Sequence, residues 1–326
     1  MLWGDMALAM QNLLNLIEIR VYSENDKNVW DSFIDSAKNR HFFFKRDYME
    51  YHSDRFQDSS LMIYASGKLA AVLPGNLNGE TFYSHQGLTY GGILCGERMT
   101  TSLMVAIFEK LVDFLRSLGV RRMVYKDIPY IYYTRPAEEA AYALYLHKAR
   151  LSRRELSSVI DMNSGLSYTK GKKYNISKAR KYGLEIVESS DYEGFIGLLT
   201  EVLSDRHGAT PVHTAEELKL LAGRFPNNIR LFTCLKDEEI LAGVLVFENE
   251  FVAHTQYLAN SDEGKSIGAL DFTLDYLIKN IFNTKKHFSF GISTEDQGYT
   301  LNSGLVDSKE GFGARAILHD IYEMEL

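Results

Sequence analysis

His254 and Gln256 stand two residues apart in the strand-like run 251–258, and a period of two puts both side chains on one face. A histidine titrates near neutrality and can take a proton from a nucleophile. A glutamine beside it can donate a hydrogen bond to an oxyanion; both residue types also serve sheets as ordinary packing and hydrogen-bonding side chains. Further along, Asn302, Lys309 and Glu310 lie in a glycine-rich, loop-like stretch, the kind of segment that carries sites on a rigid scaffold. There Lys309 can hold a phosphate or carboxylate and Glu310 offers an alternative base, or the two form a plain solvated pair. Arg206 and His207 close a helical run, where the dipole favours cations whatever their role.

The strongest local charge anomaly is the stretch 168–183, which holds Lys170, Lys172, Lys173, Lys178, Arg180 and Lys181 with no acidic residue. It sits near the middle of a chain whose formal charge is −7. Lys172, Lys173 and Arg180 are its candidate ligands for an anion; a solvated connecting helix accounts for the same pattern, because the cations cover more than one helical face. In the first half, His85 and Gln86 precede a turn at Tyr90, Gly91 and Gly92, where glycines let backbone approach a ligand closely. Asp127 follows a strand, either as a site carboxylate or as the surface partner of Lys126 or Arg122.

The acidic balance argues against general nucleic-acid binding, since no global positive field is available to displace counterions. Cys95 and Cys234 are the only cysteines and are far apart, so neither a disulfide framework nor a thiolate zinc site is indicated, and no metal is expected. No metalloprotease His-Glu-x-x-His, phosphate-binding P-loop or serine-nucleophile elbow is present. No apolar run approaches the ~20 residues that a membrane span needs, and a cytoplasmic protein is expected.

These residues must be positioned by a chain of 326 residues, long enough for two hydrophobic cores. An alternating run at 17–23 and strand-like segments at 61–65, 69–73, 81–87, 120–126 and 156–161 predict strands. Helical spacing predicts helices over 29–37, 46–56, 100–118 and 136–148. The second half repeats the order, with strands at 184–188, 230–235, 240–247, 251–258 and 287–291 and helices at 192–203, 215–223 and 267–282. Gln86 and Leu88 recur at constant spacing as Gln256 and Leu258. The fold class is α/β, a tandem duplication of a mixed-sheet domain in the order β-α-α-β-β-β-α-β. The expected domains are 1–163, with 1–16 as an extension, and 184–326, joined by the basic segment 164–183.

That order is similar to the GNAT acyltransferase fold, and its tandem arrangement resembles the Fem family of aminoacyltransferases and the broader Fem-like GNAT group. The resemblance rests on Lys172-Lys-Tyr-Asn-Ile-Ser-Lys-Ala-Arg-Lys-Tyr-Gly183, on Ser204-Asp-Arg-His-Gly208, and on His287-Phe-Ser-Phe-Gly291, Leu301-Asn-Ser-Gly-Leu305 and Lys309-Glu-Gly-Phe-Gly313. It implies attack of an amine on an acyl carbon, with His254, Gln256, Lys309 and Glu310 as the catalytic set. Arg206, His207, Asn302, Lys172, Lys173 and Arg180 become substrate contacts. The pyrophosphate-gripping turn of acetyl-CoA enzymes is incomplete here: the frame Lys265-Ser266-Ile267-Gly268-Ala269 supplies only a helix N-terminus and one lysine. Three functions follow as expectations. One is an acyl-CoA-dependent N-acyltransferase acting on a small amine or a cell-envelope precursor. The second is an aminoacyl-tRNA-dependent transferase acting on a peptidoglycan precursor, and the third is a duplicated binding module without catalysis.

Overall fold

Seven consecutive residues, from Leu241 to Phe247, are buried, so the strand that holds them is covered on both faces. Around such strands the computed structural model places two cores. It describes residues 2–207 and 210–326, with side chains at 8, 10–204 and 210–326. The chain divides into one unit made of Met1–Glu155 and Leu318–Leu326 and another made of Leu156–Ile317.

The first unit runs α1 (Leu2–Leu16), β1 (Ile17–Val21), α2 (Lys27–Ser36), α3 (Arg46–Met49), β2 (Gln57–Asp58), β3 (Leu61–Ala65), β4 (Lys68–Leu73), β5 (Asn76–Asn78), β6 (Thr81–Tyr83), β7 (Leu94–Cys95), α4 (Thr101–Ser117), β8 (Arg122–Lys126) and α5 (Glu139–Leu146). Strand β9 (Arg150–Asp161) begins in it. Strands β1, β3, β4 and β7 form one antiparallel sheet, and β6 pairs in parallel with β8. Thr100 caps α4 by accepting from the Leu103 N–H, and Gly119, at φ +80°, ends it in the left-handed conformation. The apolar face of α4, with Ile107, Phe108, Leu111 and Leu115, packs with Phe82, Met123 and Tyr125 in one core.

The second unit continues with α6 (Lys170–Ala179), β10 (Glu185–Ser189), α7 (Tyr192–His207), α8 (Ala215–Arg224), β11 (Ile229–Lys236), β12 (Glu239–Glu248), β13 (Val252–Asn260), α9 (Asp262–Ile267) and α10 (Ala269–Tyr276). A π-helical turn over Leu277–Ile281 extends α10, and β14 (His287–Ile292), β15 (Thr294–Glu295), β16 (Thr300–Leu301) and α11 (Ser303–Glu310) follow. Strands β10 to β13 pair antiparallel in sequence order, β13 pairs in parallel with β14, and β14 pairs antiparallel with β9. Phe232, Val244, Val246, Leu274, Ile278, Phe282 and Phe288 fill the core beneath. Among the described residues, no helix is long and apolar enough to cross a membrane.

Several elements differ from their sequence expectation. The helix expected over 267–282 breaks at Gly268, whose φ of +83° ends α9 and starts α10. The strand expected to reach Gly87 stops at Tyr83, because His85 adopts φ +69°. The helix expected over 46–56 is a short α-turn followed by a 3-10 turn at Glu50–His52. The last strand, β17 (Arg315–Glu325), pairs with β8 through Ile321 to Glu325, so 318–326 fold with the first unit rather than with the expected domain 184–326.

Candidate functional site

The parallel ladder between β13 and β14 is short. It pairs only Val252, Ala253 and His254 with His287, Phe288 and Ser289, although both strands continue. Beyond that point the edge of β13 facing β14 keeps backbone N–H and C=O groups that this ladder does not use. Both strands are also bent there. The register of β12 with β13 slips between Leu245 and Val246, leaving Gln256 unopposed, and that of β14 with β9 slips between Ser289 and Ile292. Bulges of this kind re-aim side chains and end pairing next to sites.

His254 and Ser289 are the last residues of the ladder, and His254 Nδ1 lies 3.0 Å from Ser289 Oγ. That contact fixes the imidazole plane from one side. Gly291, at φ +73°, passes close by; a Cβ there would stand 3.2 Å from His254 Cε1. From the last turn of α11, Lys309 reaches beneath this bend and donates to Gly291 O at 3.1 Å, Ile292 O at 2.6 Å and Ser293 Oγ at 2.8 Å. An ammonium has three N–H donors, so all three are engaged. Lys309 makes no ion pair with a described carboxylate, and burial pulls its pKa down to about 8. The hydroxyls of Ser157, opposite Ile292, and of Thr255 are buried without a hydrogen-bond partner among the described residues.

The expected site residues therefore separate. His254 and Lys309 come together around the bend 289–293. Lys309 acts as its brace, because its donors are consumed by backbone and Ser293. Gln256 occupies the bulge, so the alternation that would place it on the face of His254 is interrupted. Asn302 is the N-cap of α11, accepting from the Leu305 N–H at 3.0 Å and donating to Glu295 at 2.7 Å. Glu310 is exposed. Arg206 and His207 lie outside the residues whose side chains are described.

The expected phosphate cradle at Lys265 to Ala269 is of mixed polarity, because Gly268 closes α9 and also opens α10. Residues 262–267 are a helix of their own, so 265–268 are its C-terminal turn: Lys265 N donates to Ser261 O and Gly268 N to Gly264 O. The free groups at such an end are carbonyls, and one of them, Ser266 O, accepts from Lys178 Nζ at 2.6 Å. The Lys265 side chain pairs with Asp262 at 2.5 Å.

The basic stretch folds into α6 and is divided in use. Lys172 is tied to Asp271 at 2.7 Å and to Ser308 at 3.1 Å, and lies 4.5 Å from the Phe312 ring centroid. Lys173 and Arg180 instead share a cavity of about 270 Å³ with Tyr168, Asp275 and Lys279.

In the first unit the suggestive residues are structural. Lys126 donates to Gln86 O at 3.0 Å and Leu88 O at 2.6 Å. Gln86 is bonded through both backbone and side chain to Asn76, and Tyr90 packs against Tyr132. Asp127 is no surface ion-pair partner; burial raises its pKa to about 7, and its carboxylate accepts from the Ile128 N–H.

Sequence reasoning missed Ser289 and Ser293. Ser289 lies inside an anticipated strand, but its partnership with His254 across 35 residues leaves no local signal.

No protein-family model and no curated protein matches the chain. Solved structures do match over nearly its whole length. FemX aligns with a TM-score of 0.65 at 11% identity, covering 95% of this chain and 97% of that one. The C-terminal domain of a protein assigned as a lysylphosphatidylglycerol synthetase from Agrobacterium fabrum aligns at 0.60 and 13% identity, covering 92% of each. A tandem GNAT protein from the clavulanic acid biosynthesis pathway aligns at 0.51 and 11%, covering 95% and 98%. The chain has the tandem GNAT fold, as its duplicated order implies.

Proposed function

We propose that the protein transfers an aminoacyl group from an ester donor to an amine, with the chemistry in the second unit where β13 and β14 part. The observation that carries this reading is the open parallel pair, closed at its base by His254 and Ser289 and braced by Lys309. An extended acyl segment can lie against the unpaired edge of β13. Its N–H groups are suited to stabilise the oxyanion formed as the amine nitrogen attacks the carbonyl carbon. His254 takes the proton that the amine loses, and the departing oxygen of the donor ester is protonated as the C–O bond breaks.

The exposed cations of α6 favour an aminoacyl-tRNA donor over acyl-CoA. At Lys265 to Ala269 the last carbonyls of α9 crowd the first N–H groups of α10, and α9 itself opens on the acidic pair Asp262 and Glu263. Exposed Lys170, Lys173 and Lys181 on and beside α6 give a local basic face for RNA despite the acidic chain. By its resemblance to the Fem group, the acceptor is the amine of a cell-envelope precursor such as a peptidoglycan peptide.

Thermal denaturation with aminoacylated tRNA, uncharged tRNA and acetyl-CoA tests the donor. A ligand held at about 100 times its Kd stabilises by about 2.7 kcal/mol. The shift is expected with aminoacylated tRNA, lost at high salt and reduced by Lys170→Glu with Lys181→Glu. A shift with acetyl-CoA alone would transfer the reading to an acyl-CoA enzyme. No shift with any donor would leave a non-catalytic module.

A further inference from the structure

The cavity of about 270 Å³ between α6 and the end of α10 contains none of the residues assigned to transfer at the β13 and β14 opening. Its polar lining is Tyr168, Lys173, Ser177, Arg180, Asp275 and Lys279: three cations, one carboxylate and two hydroxyls. We propose that it is a binding site for a small phosphate monoester.

Asp275 is buried and divided between two of the cations, with Oδ1 2.5 Å from Lys279 Nζ and Oδ2 3.6 Å from Arg180. It therefore orients both without neutralising the set, and Lys173 stands beside them with no carboxylate of its own among the described ion pairs. The cavity keeps a surplus of two positive charges, which matches the charge of nearly −2 on a phosphate monoester at neutral pH.

Two further observations point to a ligand. Tyr168 is only 8% exposed, and its hydroxyl is turned to Asp275, the one carboxylate of the lining. Burial, the neighbouring charge and a hydrogen bond to Asp275 push its pKa up, so the O–H stays a donor at the edge of the cation cluster. The second is the π-helical turn Leu277–Ile281, in which Phe282 N donates to Leu277 O at 2.8 Å. Its wide pitch carries Lys279, whose Nζ lies 4.8 Å from the Tyr168 ring centroid. Single π-turns inside helices recur at functional sites. Leu166 and Ile176 complete the lining and suit the carbon backbone of a small metabolite rather than a bare ion. The volume is at the low end for ligand pockets, which fits a phosphorylated molecule of a few carbons.

Isothermal titration with glycerol 3-phosphate at low salt tests this. Saturable binding is expected, stronger than for inorganic phosphate or sulfate. Lys279→Gln and Arg180→Gln should each weaken it at least tenfold. Tyr168→Phe removes one oxygen and keeps the ring, so it should fold with an unchanged melting temperature and bind about fivefold more weakly. Absence of saturable binding to the wild type, or wild-type affinity in both Tyr168→Phe and Lys279→Gln, would overturn the proposal. So would binding of poly(U) RNA or phosphatidylglycerol vesicles without binding of glycerol 3-phosphate, since the site would then read a polymer or a membrane. Lys173 is common to this site and the basic face proposed for RNA, but the two readings are tested apart: titration of the metabolite can succeed while every donor fails to shift the melting temperature, and the reverse.

Discussion

Replacing Lys309 by methionine keeps the length of the side chain and removes its charge and three donors. Without the bonds to Gly291 O, Ile292 O and Ser293 Oγ, three acceptors lose a partner, at about 1 kcal/mol each or about 3 kcal/mol together. Burial of the ammonium lowers its pKa from 10.5 to about 8, a desolvation effect that acts on the charged form. The net loss expected for Lys309→Met is about 3 kcal/mol by urea denaturation at pH 7. Turnover should also fall about tenfold, because the bend that faces His254 loses its brace. The pH dependence gives an independent arm. The folded-state pKa lies below the unfolded one, so between about pH 8 and 10.5 the unfolded chain binds more protons and stability rises with pH. The stability gap between wild type and Lys309→Met should therefore widen across that window. A loss under about 1 kcal/mol, or a gap that narrows as pH rises, would refute the brace.

Further outcomes follow from the same geometry. His254→Ala should lower turnover about 100-fold with little change in melting temperature, as removal of a general base does. Ser289→Ala should cost less, about tenfold, since it only frees the ring; equal rates in both variants and wild type would remove the pair from the mechanism. Gly268→Ala should destabilise by about 2–4 kcal/mol in chemical denaturation, because its Cβ would stand 2.7 Å from Asn175 O at a φ of +83°. Cys95 and Cys234 are both buried, with the Cys95 thiol pushed up to about 12. Neither should react with a thiol reagent at pH 8 until the protein unfolds, and prompt labelling would show that these cores open.

What the sequence determined by itself is the order and kind of the elements. Strand-like runs marked β11, β12 and β13, and helical spacing marked α4, with Thr100 and Gly119 at its ends. These signals are local, since periodicity reports which face of an element is buried and capping needs neighbours within one turn. The doubled order of strands and helices was legible for the same reason, and with it the fold. The basic stretch was legible as a charge anomaly, and its helix as one of two outcomes.

Tertiary structure decided the site. The Fem-like motif supplied Lys309 as a catalytic candidate, but only folding turns its three donors onto the bend 291–293 and makes it a brace. His254 was visible as a titratable residue in a strand, while its partner Ser289 lies 35 residues away and meets it only because β13 and β14 pair in parallel. The same holds for Lys172, taken by Asp271 across 99 residues, while Lys173 and Arg180 share the cavity that Tyr168 and Lys279 complete. The glycine at 268 could be read in the chain, but not the left-handed turn that ends one helix there and starts another. Backbone periodicity fixes which face of a strand is buried; which side chains then share one bend depends on long-range register, and no local spacing encodes it.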